Sequence, residues 1–141
     1  MKNILIPALL ILSPLALADY CMPNLIKENV CELAKKVADG GNKNTPNKIS
    51  EEMTLLTYKT DGVKLTGLVR FSYNQKLLDL KTNGNQEALS KIESMVKQGA
   101  INSVCNGKET RAFINLGGEV EYDYIFNDGS SYTKFTISTC D

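Results

Sequence analysis

Catalytic chemistry in this chain would have to come from carboxylates, because its 141 residues include no histidine. Histidine is the commonest general base and metal ligand, so neither a Ser-His-Asp nor a Cys-His arrangement can be built. Paired carboxylates could still hydrolyse glycosides, and the candidates are Glu51-Glu52 and the group Glu119, Glu121 and Asp123. The second group alternates with apolar residues, as the solvent face of a strand does. We therefore expect that the protein is not an enzyme.

The sequence also predicts neither a metal nor a cofactor. Its cysteines lack the CxxC spacing of zinc sites, and the Asp61-Gly62 and Asp128-Gly129 turns lack the further oxygen ligands of a calcium loop. No glycine-rich loop is suited to a phosphate group, since Gly117-Gly118 is better explained as the end of a helix.

The N-terminus has the pattern of a secretory signal peptide. Lys2 provides a positive charge, residues 4–15 form an apolar run interrupted by prolines, and Ala16-Leu17-Ala18 is a small-x-small cleavage pattern. We expect cleavage between Ala18 and Asp19. The mature product would be a single domain of residues 19–141 in the periplasm or outside the cell.

A membrane anchor and a lipoprotein are the alternatives to cleavage. The apolar run is shorter than the ~20 residues needed to span a bilayer, and Tyr20 before Cys21 is not the small residue that lipidation requires. No later segment is apolar enough to span a membrane, so we expect no insertion after cleavage. Loss of Lys2 leaves 15 basic against 16 acidic side chains, which gives no electrostatic footprint for nucleic acid.

Four cysteines remain after cleavage: Cys21, Cys31, Cys105 and Cys140. An even number of cysteines in an exported domain indicates disulfide bonds. Four cysteines allow three connectivities, of which we prefer Cys21–Cys31 with Cys105–Cys140. The first bond would tie the N-terminal tail to the first helix, and the second would hold the chain end against a helix end. A free buried thiol at Cys31 is the alternative.

Apolar periodicity predicts a first helix that begins near Pro23 and ends at Gly40-Gly41. Its buried stripe would comprise Leu25, Ile26, Val30, Leu33, Ala34 and Val37. Residues 42–48 would form a polar linker.

A hairpin follows, with strands at residues 51–60 and 63–71 joined by Asp61-Gly62. Met53 and Leu55 would share one face of the first strand. Gly67 interrupts the apolar face of the second strand and indicates a bulge or a close contact. The apolar residues Leu77, Leu78 and Leu80 fit either an extension of the strand or a short helical turn.

Two helices and a second hairpin complete the chain. The second helix runs from about Gln86 to Cys105 with Asn85 as its N-cap, and a short third helix covers residues 108–116. The predicted buried stripe of the second helix comprises Leu89, Ile92, Met95, Val96, Ile101 and Val104, and Gly99 lies within it. The last two strands cover residues 119–126 and 132–138.

This element order, α-ββ-α-α-ββ, predicts an α+β fold. Two hairpins would most simply join into a four-stranded antiparallel sheet with the helices covering one side.

Tyrosines are the remaining candidates for function. Tyr122, Tyr124 and Phe126 are either a core stripe or part of a binding groove, and the core interpretation is favoured. The tyrosines at 58, 73 and 132 would rim the sheet, where half-exposed tyrosine suits recognition of a partner. Tyr58, Tyr73 and Tyr132 are therefore the candidate partner-binding residues.

Residues 89–140 carry a more specific pattern. It comprises Val104-Cys105, Thr110-Arg111, Phe113-Ile114, Gly117, Val120, Tyr122, Tyr124, Gly129, Tyr132, Lys134, Phe135 and Cys140. In order and spacing this pattern resembles the AspS class of type II secretion pilotins, also called GspS-beta. The resemblance implies the same order of elements, and Cys105 and Cys140 match the disulfide of that class.

Pilotins of that class bind a C-terminal segment of the outer-membrane secretin and carry it outward by a lipid anchor. This sequence departs from the pattern because it lacks the lipobox cysteine and adds Cys21 and Cys31. The resemblance therefore implies a periplasmic, non-enzymatic binding module that engages a segment of a secretin or another envelope or secretion protein. The alternative is a periplasmic or secreted inhibitor or immunity protein, which would block an enzyme with a projecting loop such as residues 42–48 or 127–130.

Overall fold

The computed structural model describes residues 20–23 and 27–141. The expected signal peptide, its cleavage site and the stripe positions Leu25 and Ile26 lie outside the described residues. In the part that is described, no helix combines the length and hydropathy of a membrane span.

The first helix, α1, spans Val30–Asn42. It begins later than expected because Asn29 is the N-cap, with its side chain accepting a hydrogen bond from the Glu32 amide at 3.1 Å. Val30, Ala34 and Ala38 lie four residues apart and form its buried face. The helix also continues through Gly40-Gly41, which the sequence analysis had placed at its end.

The sheet has five strands in the spatial order β1-β2-β3-β4-β5. The strands are β1 (Asn47–Lys48), β2 (Met53–Asp61), β3 (Lys64–Phe71), β4 (Glu119–Ile125) and β5 (Ser131–Ile137). The α+β class and both hairpins are confirmed. The prediction of four antiparallel strands is wrong in two respects, since β1 adds an edge strand within the expected linker and β3 pairs with β4 in parallel.

The parallel pairing follows from the connection between the two hairpins. Three helices lie between β3 and β4: α2 (Gln75–Thr82), α3 (Gln86–Asn106) and α4 (Lys108–Asn115). They return the chain to the end of the sheet at which β3 began, as a parallel crossover requires. The α2 helix contains Leu77, Leu78 and Leu80, which the sequence had left unassigned.

Two β-bulges change which residues face the helices. The register between β2 and β3 shifts at Leu56, so that Tyr58 lies opposite Gly67. The register between β4 and β5 shifts at Tyr132. Each extra residue reverses the alternation, so Tyr58 shares the helix-covered face with Leu55, where strict alternation would place Thr57.

The core lies between this covered face and the helices. One cluster joins Val30 and Ala34 of α1 to Leu65, Val120 and the helix α4 residue Phe113. A second cluster is mainly aromatic and contains Leu55, Val69, Phe71, Leu78, Tyr124 and Phe126. The opposite face carries charged and hydroxyl side chains together with Leu68 and Ile125.

The structure contains two disulfide bonds, and each joins one end of a helix to a segment near one end of the chain. Cys21 bonds to Cys31 in α1, and Cys105 near the end of α3 bonds to Cys140 after β5. This is the connectivity preferred from the sequence, and Cys31 is not a free thiol. Among the described residues no group of side chains is arranged to hold a metal ion.

Candidate functional site

An open groove lies between α3 and the β1–β2 side of the sheet. It consists of two adjoining pockets of about 470 and 330 Å³ that share Met53, Met95 and Val96. We call this surface the α3 groove. A larger depression of about 630 Å³ lies over α2, but all of its lining residues except Leu80 are polar. The α3 groove is the better candidate site because binding sites are concave and mostly apolar.

The helix wall of the groove is apolar and only partly covered. Met95 is 65% exposed in the groove, and Ile101 is 37% exposed outside it, beside Lys97 and Gln98. The prediction that both are buried is wrong. In α3 only Ala100 and Val104 are buried, while the partly buried Leu89, Ile92 and Val96 pack against the aromatic cluster. Ile49, next to β1, is 47% exposed on the opposite side.

Small residues widen the groove along α3. Gly99, Ala100 and Ser103 all line it, and a Cβ atom added at Gly99 would meet nothing within 4 Å. Glycine within a helix costs about 1 kcal/mol relative to alanine. The α3 helix is nevertheless continuous through Gly99, so this residue leaves open space beside the helix backbone.

Three tyrosines form the floor and inner end of the groove: Tyr58, Tyr122 and Tyr124. The hydroxyls of Tyr58 and Tyr122 lie close enough to share a hydrogen bond. Burial raises the pKa of all three, that of Tyr124 to about 12. The tyrosines are therefore neutral hydrogen-bonding groups at physiological pH.

The ring of Tyr58 is held between two glycines. A Cβ atom at Gly41 of α1 would come within 2.6 Å of this ring, and one at Gly67 of β3 within 3.2 Å of it and 3.0 Å of Tyr122. The close contact expected at Gly67 is confirmed. At Gly41 the structure shows a second close contact, where the sequence had suggested only a helix end.

The backbone of Tyr58 is fixed by Asn42, the last residue of α1. The Asn42 side chain accepts from the Tyr58 amide at 2.7 Å and donates to the Tyr58 carbonyl at 2.9 Å. One side chain thus satisfies both backbone groups where β1 no longer pairs with β2.

The other two predicted tyrosines lie around the aromatic cluster. Tyr73 stacks on Phe71 at 5.0 Å and lines the outer pocket of the groove. Tyr132 packs edge-on against Phe71 and Phe126, each at 5.2 Å, because the bulge turns it towards them. Of the three predicted residues, Tyr58 and Tyr73 therefore line the α3 groove, and Tyr132 packs beside it.

The groove-facing residues of α3 and the Tyr122–Tyr124 pair were not among the residues predicted to bind a partner. Tyr122 and Tyr124 were interpreted as either core residues or part of a binding groove. In the structure they are both, since they pack in the core and also line the groove floor. The signal that could have identified the α3 wall was a glycine within an apolar helical stripe.

Charge is confined to the outer end of the groove. The inner pocket is lined by uncharged side chains. In the outer pocket, Glu52 accepts a hydrogen bond from the Ser72 hydroxyl and lies 4.0 Å from the Lys81 ammonium. The groove therefore favours an uncharged ligand surface over most of its length.

Glu52 is the one candidate carboxylate that lines the groove, in its outer pocket. Glu121 accepts hydrogen bonds from Lys64 at 3.3 Å and Thr136 at 3.2 Å on the opposite face of the sheet. Burial alone would raise the pKa of Glu121, but these bonds and the lysine charges outweigh it and lower the pKa. Asp123 pairs with Lys134 at 3.3 Å. The surroundings of Glu121 thus stabilise its ionised form, whereas a general acid needs a raised pKa.

The sequence matches no family model and no curated protein. Solved structures do share the fold. PA3611 of Pseudomonas aeruginosa, a protein described as secreted, is 16% identical with a TM-score of 0.60, over 77% of this chain and 88% of its own.

Two type II secretion pilotins are similar to the same extent. AspS from Vibrio cholerae has a TM-score of 0.58 and 16% identity, over 78% of this chain and 89% of its own. EpsS from Vibrio vulnificus has a TM-score of 0.57 and 8% identity, over 79% of this chain and 92% of its own. The resemblance predicted from the sequence is thus confirmed for the fold, which this chain shares with the AspS and EpsS pilotins.

Proposed function

We propose that this protein is a periplasmic or secreted, non-enzymatic binding module that holds a segment of a secretion or envelope protein in the α3 groove. The observation that carries the proposal is the exposed apolar wall of α3, with open space beside Gly99, in a fold shared with pilotins. By this resemblance, a secretin is the first partner to test.

A ligand in the groove would bury apolar surface that is now exposed to water. Met95 and Ile49 expose apolar surface on facing sides of the groove, and covering such surface is favourable by about 25 cal/mol per Å². Methionine adapts to irregular ligand surfaces, and both Met53 and Met95 line the groove. A short apolar peptide segment fits this description better than a flat protein surface does.

An oxidising compartment is supported by the two disulfides. The expected signal peptide supports the same location. Cleavage after Ala18 remains part of the proposal and can be checked by sequencing the N-terminus of the exported protein.

The inhibitor alternative depends on a projecting loop. Residues 42–48 instead lie against the sheet, because Asn42 bonds to Tyr58 and Asn47–Lys48 form β1. Residues 127–130 form a tight turn in which Asp128 accepts hydrogen bonds from the Ser130 amide and hydroxyl. A groove is thus the more prominent feature, which favours a module that receives a segment of its partner.

The test is to fill the groove without disturbing the fold. Gly99→Leu places a side chain in open space within the α3 wall, so it should leave the melting temperature unchanged or raise it. Gly40→Leu is the matched control, because Gly40 is also helical and open but lies in α1.

The measurement is affinity capture from periplasmic and outer-membrane extracts, with the captured proteins identified by mass spectrometry. We expect the native protein and Gly40→Leu to retain the same secretin or other envelope protein, and Gly99→Leu to lose it at least tenfold. Equal capture by all three proteins would contradict the groove as the binding site. Failure of the native protein to retain any envelope protein would contradict the proposed function.

A further inference from the structure

We infer that the α3 groove selects an uncharged, mainly apolar peptide segment in which one hydroxyl or amide side chain accepts a hydrogen bond from the Tyr124 hydroxyl. This inference rests on the proposed function and specifies the chemistry of the partner segment. It follows from the state of the three tyrosines, from the space beside α3 and from the charge of the lining.

The Tyr124 hydroxyl faces the groove without a partner. Tyr124 is only 3% exposed, and among the described residues its hydroxyl makes no hydrogen bond. Yet no fully buried side-chain oxygen or nitrogen in this part of the chain lacks a partner. The small exposed part of Tyr124 therefore includes its hydroxyl, which is reached through the groove that Tyr124 lines.

A ligand that covers this hydroxyl must satisfy it. An unpaired buried hydroxyl costs about 1–3 kcal/mol, so a segment that covers it with an apolar side chain, and with its backbone carbonyls engaged elsewhere, would bind with a penalty. The neighbouring Tyr58 and Tyr122 hydroxyls can satisfy each other. Since a tyrosine hydroxyl has one proton to donate, the proton of Tyr124 remains for a ligand. A hydroxyl or amide oxygen would accept it.

The α3 wall lets the ligand approach this floor. Gly99, Ala100 and Ser103 lie along the part of the helix that lines the same pocket as Tyr124. A Cβ atom at Gly99 would contact nothing, so no contact within the described chain accounts for the glycine. A ligand can therefore pack directly against the helix backbone at this point.

The lining also selects against charge. A carboxylate or ammonium group inserted into the inner pocket would lose its water without gaining an ion pair, because that pocket is lined by uncharged side chains. The charged Glu52 lies in the outer pocket and already interacts with Ser72 and Lys81.

The experiment uses random twelve-residue peptides displayed on phage as the probe. Selection on the native protein, with subtraction on Gly99→Leu, enriches peptides that occupy the groove. We expect a consensus of apolar residues around one Ser, Thr, Asn or Gln, without charge. The affinity of one selected peptide and of its variant with Ala or Val at the polar position is then measured on the native protein and on Tyr124→Phe.

On the native protein the apolar peptide variant should bind roughly tenfold more weakly, which corresponds to about 1.4 kcal/mol. On Tyr124→Phe the two peptides should differ less than twofold. Tyr20→Phe, at an exposed tyrosine near Gly62, should behave as the native protein. If Tyr124→Phe fails to fold, the same cycle is run with Tyr124→Leu, which also removes the hydroxyl.

Two results would overturn the inference while leaving the proposed function intact. One is a consensus with a charged residue, or without any polar residue, at its centre. The other is that the apolar peptide variant loses the same affinity on the native protein and on Tyr124→Phe. Failure to enrich any peptide that distinguishes the native protein from Gly99→Leu would instead count against the groove itself.

Discussion

Tyr58 is placed by residues of three different elements. Asn42 of α1 fixes its backbone, a bulge in β2 turns its side chain to the covered face, and Gly41 and Gly67 leave room for its ring. A side chain that is over-determined in this way keeps one rotamer. The inner wall of the α3 groove is therefore rigid near Tyr58.

Gly67 provides the sharpest test of this arrangement. In Gly67→Ala, the new Cβ atom would lie 3.0–3.2 Å from the rings of Tyr122 and Tyr58, so one ring must shift. We expect a loss of roughly 1–3 kcal/mol in the free energy of unfolding, as overpacking usually causes. Urea titration measures it.

Gly40→Ala is the control for that substitution. Nothing lies within 4 Å of a Cβ atom at Gly40, so this change should stabilise the helix by up to about 1 kcal/mol. If both alanine variants were stabilised alike, the tight packing of the tyrosine pair on Gly67 would be contradicted.

The buried tyrosines predict how stability depends on alkaline pH. Burial raises the pKa of Tyr124 and of Tyr132 to about 12, and that of Tyr122 further. Because the unfolded pKa is near 10, the folded state keeps protons that the unfolded state releases. Their contribution to stability is complete below pH 10 and is lost as the pH rises through 12.

Urea titrations between pH 8 and 12, together with the ultraviolet absorbance of tyrosinate, measure this loss. Above pH 10, we expect the urea concentration at the unfolding midpoint to decrease as the pH rises. The decrease should be less steep in Tyr132→Phe. Simultaneous ionisation of all tyrosines near pH 10 in the folded protein would show that these side chains are not buried.

At the scale of elements, local signals predicted most of the fold. Asn85 caps α3 as expected, Asp61-Gly62 joins β2 to β3, and α3 and α4 lie where they were predicted, whereas α2 was left open between a strand and a helical turn. Alternation failed only where a bulge interrupts it, at Leu56 and Tyr132. A bulge leaves no reliable mark in a period-two pattern, so the facing of Tyr58 could not be derived from the sequence.

The pairing of elements was less predictable for a similar reason. The two-residue strand β1 has exposed side chains without any apolar alternation, and its pairing with β2 depends on tertiary contacts. The parallel contact of β3 with β4 depends on the path of three helices. The periodicity of each strand is the same for either direction of its neighbour.

The α3 groove was unpredictable because it is a place where an apolar stripe is not buried. Met95 has the spacing of a core residue, yet it is exposed in the groove. Periodicity reports which face of a helix is apolar. Whether that face packs on the sheet or stays exposed depends on the distance between the helix and the sheet.

At the scale of the molecule, the C-terminal end of α3 is the end that is covalently attached. Val104 is buried, and Cys105 is bonded to Cys140 after β5. Further towards the N-terminus, α3 is held by the partly buried Leu89, Ile92 and Val96 and by the hydrogen bond that Glu93 accepts from Thr133 at 3.0 Å. The position of the groove wall relative to the sheet therefore depends on the disulfide as well as on this packing.

The two disulfides should accordingly differ in importance. Cys105–Cys140 closes a sequence separation of 35 residues and Cys21–Cys31 one of 10. By loop entropy alone, their removal should cost roughly 4 and 3 kcal/mol. Removal of Cys105–Cys140 also frees the end of β5 and the helix that forms the groove wall. The stability difference between the two variants should therefore exceed the difference in loop entropy alone.

We therefore expect the Cys105→Ser, Cys140→Ser double variant to unfold at a lower urea concentration than the Cys21→Ser, Cys31→Ser double variant. It should also bind groove-selected peptides more weakly at temperatures where it is still folded, whereas the second variant should bind them as the native protein does. Peptide mapping of the oxidised native protein controls for the pairing. Equal stability and equal peptide affinity of the two double variants would contradict the role of Cys105–Cys140, because α3 would then keep its position through packing alone.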